Sequence, residues 1–148
     1  MQIRPMTEKD CAKVAEIESV SFSMPWSLQA FTETVSDSKY HFLVAEEQGE
    51  ILGYCGFYSV VDEAEIPNVC VSPSARRRGI GRKLMEELIC LATGLEIETM
   101  YLEVRKSNLP AQKLYQSLGF EEIGLRKNFY EQPREDAVLM CKKLQTSL

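Results

Sequence analysis

Residues 64–105 decide the fold, and they read AEIPNVCVSPSARRRGIGRKLMEELICLATGLEIETMYLEVR. Apolar runs predict one strand over 64–71 and another over 100–105. Between them, leucines and a methionine recur at helical spacing, which predicts a helix over about 80–92. The connection is long enough for a right-handed parallel crossover, so the stretch predicts a β-α-β unit.

The flanking sequence adds antiparallel strands and further helices. The turn Gln48-Gly49-Glu50 separates two apolar runs and predicts a hairpin of strands 40–46 and 51–60. The pattern Thr7-Glu8-Lys9-Asp10, Ser27 and Asn108 fit helix starts. The other predicted elements are strands over 2–5, from 120 onward and over 138–142, and helices over 7–19, 27–35 and 108–119. We expect an α/β (α+β) fold with a mixed, mostly antiparallel sheet around a central β-α-β unit, flanked by helices.

Composition limits the class of protein. The 148 residues are 45% hydrophobic and 26% charged and contain no repeat or linker, which predicts a single domain over 1–148 with a short tail at the end. The net charge of −5 disfavours nucleic acid and anionic membranes as partners. No apolar run is long enough to span a bilayer. The first residues carry no apolar targeting pattern, so we expect no targeting segment. The five cysteines form no C-x-x-C pair, which is typical of reduced thiols in a cytoplasmic protein.

His41 is the only histidine. One histidine without cysteines at ligand spacing does not build a zinc site, so we expect no metal. A Ser-His or Cys-His nucleophile would depend on His41, and a structural histidine in a strand is the favoured interpretation.

Four of the eight arginines lie in one loop: Arg76, Arg77, Arg78 and Arg82. Gly79 and Gly81 belong to the same stretch, at the start of the predicted helix. Helix N-termini present unpaired N–H groups, glycine lets an anion approach the backbone, and arginine adds donors. The loop fits neither a Walker A nor a Rossmann fingerprint. It predicts a pyrophosphate site, and a solvated basic helix start remains the alternative.

The loop R-R-R-G-I-G at 76–81 resembles the Q/R-x-x-G-x-G/A motif of the GCN5-related N-acetyltransferases (GNAT), and N-V-C-V-S-P at 68–73 resembles the strand that precedes it. The resemblance implies the GNAT fold and acetyl-CoA as cosubstrate. It also implies cofactor-binding residues on the strand, in the loop and at the following helix: Val69, Cys70, Val71, Arg76, Arg77, Arg78, Gly79, Ile80, Gly81, Arg82 and Asn108.

Residues 102–120 are similar to the family branch that acetylates protein N-termini, which reads L-E-V-R-x-S-N-x-x-A-x-x-L-Y-x-x-x-G-F. P-W-S at 25–27 and E-D-A-V-L-M at 135–140 narrow the resemblance further. It implies, as substrate, the N-terminal alanine of a small-subunit ribosomal protein. The sequence departs from the pattern at Phe129, where a Tyr-Tyr pair is common, and this puts one hydroxyl of the peptide site in doubt. The oligomeric state stays open, and a monomer is compatible with the sequence.

Acetyl transfer needs a base for the amine and an acid for the departing thiolate. Strand alternation places Glu103 on the opposite face from Leu102 and Val104. This pattern fits a solvent-facing carboxylate as well as a catalytic base. The resemblance implies that Glu103 is the base. The resemblance also implies that Tyr115 is the acid, although its helical spacing fits a core aromatic. Asn108 is both a helix cap and a match to the family's contact with the CoA arm.

Trp26 and Tyr130 are candidates for the peptide groove, with an acidic rim of Glu131, Glu135 and Asp136 that would suit a basic peptide. A core tryptophan and scattered surface charge explain the same residues. We expect the oxyanion donor to be a backbone N–H near Val69–Val71.

Three functions remain open at this point. The favoured one is direct acetyl transfer to an N-terminal α-amine in a ternary complex, since no well-placed nucleophile is evident. The alternatives are an acetyltransferase of lysine, a polyamine or a small amine, and a non-catalytic acyl-CoA-binding module.

Overall fold

The computed structural model describes residues 1–144. The fold consists of strands β1–β7 and helices α1–α4, joined by short loops and two single turns of 3-10 helix, Glu8–Asp10 and Pro73–Ala75. The strands are β1 (Gln2–Pro5), β2 (Tyr40–Glu47), β3 (Glu50–Val60), β4 (Glu63–Val71), β5 (Thr99–Arg105), β6 (Glu121–Glu131) and β7 (Arg134–Lys143). The helices are α1 (Cys11–Ser21), α2 (Leu28–Val35), α3 (Ile80–Gly94) and α4 (Leu109–Ser117). The predicted tail lies outside the described residues.

The strands form one sheet in the order β1-β2-β3-β4-β5-β7-β6. Among the described strands, β4 and β5 are the only parallel neighbours, and α3 connects them. The predicted mixed, mostly antiparallel sheet and its central β-α-β unit are therefore confirmed.

The parallel ladder between β4 and β5 is short. It pairs Glu63–Ile66 with Thr99–Leu102 and ends there, although both strands continue. Pro67 follows directly and has no N–H to donate. Pro67 also lies in an irregularity of the β3–β4 ladder. There, two residues of β4, Ile66 and Pro67, are opposite a single residue of β3, Phe57. Beyond this point β4 and β5 separate, and a cleft opens between them.

Two hydrophobic clusters cover the two faces of the sheet. Alternation along β2 sends Leu43 and Ala45 to one cluster and Phe42 and Val44 to the other. The apolar faces of α3 and α4 cover the first cluster, and those of α1 and α2 cover the second. Burial of both faces holds β4 and β5 in place on either side of the cleft.

The predicted helix starts agree with the capping contacts. The Ser27 hydroxyl accepts a hydrogen bond from the N–H of Ala30 at 3.1 Å. The side-chain oxygen Oδ1 of Asn108 accepts one from the N–H of Ala111 at 3.2 Å. After α4, Gly119 has φ +97, a conformation that favours glycine.

The prediction for β7 was too short, since the strand begins at Arg134 and not at 138. Charged side chains open the strand and do not show an apolar pattern. Their extended conformation is stabilised by pairing of Arg134–Ala137 with β6 and by contacts of Glu135 and Asp136 to neighbouring segments.

His41 lies half-buried in β2 with its ring 5.1 Å from that of Phe57, and burial lowers its pKa. Within residues 1–144, no group of three or more His, Cys, Asp or Glu side chains is arranged to hold a metal ion. In the same part of the chain, no helix combines the length and apolarity needed to cross a membrane.

Candidate active site

The separated ends of β4 and β5 border a cleft of about 800 Å³. The segment between α1 and α2 (residues 22–27, the α1–α2 segment) forms one wall, and the β6–β7 hairpin forms another. Ser23 donates a hydrogen bond to the Gln132 carbonyl and joins these two walls. The lining residues include Glu18, Phe22–Met24, Trp26, Ile66–Val69, Leu102–Arg105, Asn108, Tyr115 and Phe129–Pro133.

Glu103 is the first residue of β5 beyond the parallel ladder, so its position follows from the strand separation. Its side chain is 31% exposed, and its Oε1 lies 3.5 Å from Nη1 of Arg126. Burial raises the pKa of Glu103, Arg126 opposes that shift, and the charge of Glu65 adds to it. The carboxylate is therefore more basic than an ordinary glutamate, which suits a proton acceptor.

Tyr115 reaches the cleft from α4 and is 9% exposed. It packs edge-on to Phe120 with 6.0 Å between the ring centroids and belongs to the main hydrophobic cluster. Burial raises the pKa of its hydroxyl, which keeps it protonated at neutral pH. The residue is thus a core aromatic that also lines the cleft and carries a neutral hydroxyl.

A bulge in β6 carries Tyr130 to the cleft. Between Arg126 and Tyr130 the register with β7 shifts, and Asn128 adopts φ +54 with its N–H donated to Asp136 Oδ1 at 2.8 Å. The guanidinium of Arg105 stacks 4.2 Å from the Tyr130 ring centroid. Burial, with the charge of Glu103 nearby, raises the pKa of Tyr130 to about 12.

Trp26 is a half-buried residue of the α1–α2 segment. Its ring lies 5.4 Å from Phe31 and 6.1 Å from Phe42, between ring centroids. It therefore packs on the core and lines the cleft, and the two interpretations of this residue are compatible.

Backbone groups of β4 face the open side of the strand. The N–H of Ser72 donates to Leu52 O at 2.8 Å, toward β3. Because successive N–H groups in a strand point to opposite sides, those of Val71 and Val69 point toward β5, where the ladder has ended. The N–H of Cys70 points toward β3, and its side chain packs in the α1–α2 cluster. The structure thus brings Val69 and Val71, but not Cys70, to this edge.

The arginine loop lies between the end of β4 and the start of α3. Gly79 is the N-cap residue of α3 with φ +75, and no side chain among the described residues caps this helix. Its first N–H groups are therefore available to an anion. Arg76 donates to Val71 O at 3.3 Å, so the loop folds back on β4.

The other arginines of the loop have different surroundings. Arg78 pairs with Glu47, and Arg82 donates to the Ser117 hydroxyl at the end of α4. Arg77 is exposed and has φ +67. Uncapped N–H groups and adjacent guanidinium groups fit the phosphates of a nucleotide cosubstrate.

The expected acidic rim is only partly at the cleft. Glu131 lines it. Glu135 instead pairs with Arg105 at 3.2 Å and accepts the N–H of Ser107 at 2.8 Å, and Asp136 accepts that of Asn128. Glu135 therefore joins the β6–β7 hairpin to the end of β5, and Asp136 forms its contact within the hairpin. Asn108 lines the cleft while capping α4, so its two interpretations are also compatible.

Glu18 is a lining residue that was not predicted from the sequence. It is 1% exposed and accepts three hydrogen bonds, from the Tyr54 hydroxyl, the Asn68 amide and the N–H of Trp26. The available signal was its position four residues after Val14 and next to Ile17, on the buried side of α1. A carboxylate there requires polar partners inside the fold.

The split sheet, the uncapped helix start behind an arginine loop, and Glu103 and Tyr115 in one cleft are features that an acyltransferase of the type predicted from the sequence would need. The chain belongs to the Acetyltransferase (GNAT) family, which matches residues 11–120. It is an N-acetyltransferase, and the predicted family is confirmed.

Its relatives cover nearly the whole chain. A ribosomal protein bS18-alanine N-acetyltransferase of Haemophilus ducreyi is 38% identical over 142 residues, which are 94% of this chain and 97% of that protein. The N-alpha-acetyltransferase RimI of Mycobacterium tuberculosis is 35% identical over 144 residues, 93% of this chain and 89% of that protein. The crystal structure of the ribosomal-protein-S18-alanine N-acetyltransferase from Escherichia coli matches with a TM-score of 0.91 and 32% identity, covering 99% of this chain and 96% of that one.

Proposed function

We propose that this enzyme transfers the acetyl group of acetyl-CoA to the α-amine of the N-terminal alanine of ribosomal protein bS18. Two of its relatives carry that activity in their names and align over more than 90% of the chain. The observation that carries the reaction is that Glu103 and Tyr115 line one cleft at the point where β4 and β5 separate.

Acetyl-CoA supplies the acetyl thioester when it is bound. The N–H groups at the start of α3 and the arginines around them are the groups that would hold its phosphates. Val69 and Val71 offer backbone N–H groups along the open edge of β4, and Asn108 lies at the opposite side of the cleft. A hydrogen-bond donor to the oxyanion was expected among Val69–Val71. The N–H groups of Val69 and Val71 point toward β5 and the cleft, whereas the N–H of Cys70 points toward β3.

Glu103 and Tyr115 have complementary tasks. A free α-amine has an ordinary pKa near ~8, so a base of moderate strength is sufficient to take its proton. Glu103, with its raised pKa, takes that proton directly or through water. Tyr115, whose hydroxyl stays protonated, gives a proton to the departing thiolate. No cysteine lines the cleft in the described part of the chain, which favours direct transfer in a ternary complex.

The acceptor peptide would leave the cleft between the α1–α2 segment and the β6–β7 hairpin. Phe22, Met24 and Phe129 present exposed apolar surface there, and Trp26 and Tyr130 lie deeper. Glu131 adds a negative charge at this exit, which suits a basic peptide.

The acceptor is tested with a panel of basic peptides that differ only in residue one, together with lysine and polyamine acceptors. We expect the Ala-initiated peptide to have the highest kcat/KM. A preference for lysine or free amines would move the acceptor to the second hypothesis. Binding of CoA without any acetylated product would support a non-catalytic module.

The roles of Glu103 and Tyr115 are tested by Glu103→Gln and Tyr115→Phe. Each should lower kcat about 100-fold, a usual contribution of general acid–base catalysis, with little change in acetyl-CoA binding. Stopped assays give kcat, and calorimetric titration gives the affinity for acetyl-CoA. Unchanged turnover in both variants would refute the assigned roles.

A further inference from the structure

Glu18 is a buried carboxylate that the proposed chemistry does not use. Its side chain belongs to α1 and is 1% exposed. None of the ion pairs among residues 1–144 includes it. Burying a carboxylate without a cation is costly unless hydrogen bonds compensate it, so its partners deserve a functional explanation.

The partners of Glu18 come from three separate parts of the chain. Oε1 accepts the Tyr54 hydroxyl of β3 at 2.6 Å and the Asn68 amide of β4 at 2.7 Å. Oε2 accepts the backbone N–H of Trp26 in the α1–α2 segment. One carboxylate therefore joins a wall of the cleft to the strand that borders the cleft.

Only a carboxylate completes this set of contacts. All three partners are donors, and an ionised carboxylate accepts on both oxygens and donates on neither. In a glutamine, an N–H₂ group replaces one of the two oxygens. This group would face a hydrogen-bond donor and could not accept from it. The side-chain type, and not merely its size, is matched to the site.

We propose that Glu18 is a positioning residue for the acceptor: through Trp26 it holds the α1–α2 segment against β3 and β4, and thereby sets where the first residues of the acceptor bind. This inference rests on the proposed function, which assigns that wall of the cleft to the acceptor. Among the described residues, Glu18 has no hydrogen bond or ion pair with the start of α3, which is assigned to the phosphates of acetyl-CoA, and its partner on β4 is the Asn68 side chain.

Glu18→Ala removes all three acceptor contacts and is the main test. We expect the KM for the Ala-initiated peptide to rise about tenfold, on the scale of losing hydrogen bonds to a charged group, while the KM for acetyl-CoA changes less than twofold. Glu18→Gln should give a smaller change of the same kind at constant side-chain size. Glu16→Gln is the matched control, because Glu16 is an exposed glutamate of the same helix, and it should behave as the wild type.

Trp26 provides a second readout that needs no acceptor, because it is the only tryptophan of the chain. In Glu18→Ala, the exchange of the Trp26 amide should become faster and its fluorescence emission should shift to longer wavelength. Both measurements report on the α1–α2 segment directly.

The outcomes separate this inference from the proposed function. A wild-type enzyme that does not acetylate the peptide contradicts the proposed function, and the exchange of Trp26 then decides on Glu18. An active wild type together with a folded Glu18→Ala variant of unchanged peptide KM overturns the inference. Equal rises in both KM values, or unchanged exchange at Trp26, overturn it as well. If Glu18→Ala does not fold, Glu18→Gln is judged by the same criteria.

Discussion

At the residue scale, the basicity of Glu103 is set by burial and by two charged neighbours with opposite effects. Burial and the charge of Glu65 on β4 raise its pKa, and Arg126 on β6 lowers it. Tyr130 on the same strand as Arg126 is neutral at physiological pH, since its pKa is about 12. Arg126 is thus the only cation among these groups that acts on the Glu103 pKa. Removing it should raise that pKa.

Arg126→Gln should move the acid limb of the pH profile of kcat/KM to higher pH. Without the guanidinium, Glu103 holds its proton to a higher pH, and a protonated Glu103 does not accept a proton from the amine. Because the ion pair is half exposed, the shift should be about one pH unit at most. The measurement is kcat/KM between pH 4 and 9 with a saturating second substrate (the range is chosen to span about the ordinary pKa values of glutamate and an α-amine).

The controls for this prediction are Arg126→Lys and Arg134→Gln. The lysine variant keeps a cation near Glu103 and should retain most of the wild-type profile. Arg134 is an exposed arginine at the start of β7, and its replacement should leave the profile unchanged. An acid limb that does not move in Arg126→Gln contradicts the assignment of Glu103 as the base.

Single residues differ in how well the sequence predicts them. The face of Glu103 follows from strand alternation, and the burial pattern of β5 agrees with it. Glu18 could not be found in the same way, because its side-chain partners Tyr54 and Asn68 lie 36 and 50 residues away along the chain. The role of a buried carboxylate can be inferred only when its hydrogen-bond donors are known, and here they come from distant parts of the chain.

At the scale of secondary structure elements, the start of α3 is the feature that fits the phosphates. Gly79 and Gly81 contribute in different ways. Gly79 has φ +75, which an L-residue adopts only with strain. At Gly81 an added Cβ would meet Val71 and Leu114 at 3.7 and 3.8 Å, which is ordinary contact.

Gly79→Ala should therefore weaken acetyl-CoA binding more than Gly81→Ala does. The strain of the left-handed conformation is about 1–2 kcal/mol and favours a rearranged helix start, so we expect the KM for acetyl-CoA to rise about tenfold. Gly81→Ala should change it less than threefold. Initial rates over a range of acetyl-CoA concentrations measure both values, and equal effects of the two variants would argue against a phosphate site at this helix start.

The elements of the β-α-β unit were predictable because each carries its own periodicity. The β6–β7 hairpin was harder to predict from the sequence. Its bulge at Asn128 depends on Asp136 across the hairpin, and the first residues of β7 are charged. Those contacts bring Tyr130 to the cleft, so the position of this side chain could not be read from strand alternation.

At the scale of the whole molecule, the fold separates the site from the interactions that stabilise the far edge of the sheet. Arg4 on β1 pairs with Asp10 at 2.8 Å and also with Glu46 on β2. The guanidinium, with help from Thr7, lowers the pKa of Asp10 to about 2. None of these residues lines the cleft.

Acid should therefore destabilise the protein through Asp10. A carboxyl group whose pKa is lowered by folding stabilises the native state fully above its unfolded pKa of about 3.9, and this contribution is lost as the pH falls toward about 2. We expect Asp10→Asn to lower the free energy of unfolding by about 2 kcal/mol at pH 7 and by less at pH 3. Urea unfolding at both pH values measures this, and an equal loss at both would contradict the ion-pair explanation.

The order of strands in the sheet was beyond what the sequence could predict. A β6–β7 hairpin can join the sheet through either strand, and in the structure β7 pairs with β5 while β6 forms the edge. The arginines at 76–82, in contrast, are neighbours in the sequence, so their position at one helix start was predictable. The two halves of the sheet and the opening between them are properties of the assembled fold.

In the proposed reaction, Glu103 takes the proton of an N-terminal α-amine, and Tyr115 gives a proton to the departing thiolate. The most direct measurement offers the enzyme one basic peptide that begins with alanine and carries an internal lysine, and locates the acetyl group by fragmentation mass spectrometry. We expect acetylation of the α-amine of alanine, dependent on acetyl-CoA and strongly reduced in Glu103→Gln. Acetylation of the lysine, or equal α-acetylation by Glu103→Gln, would contradict it.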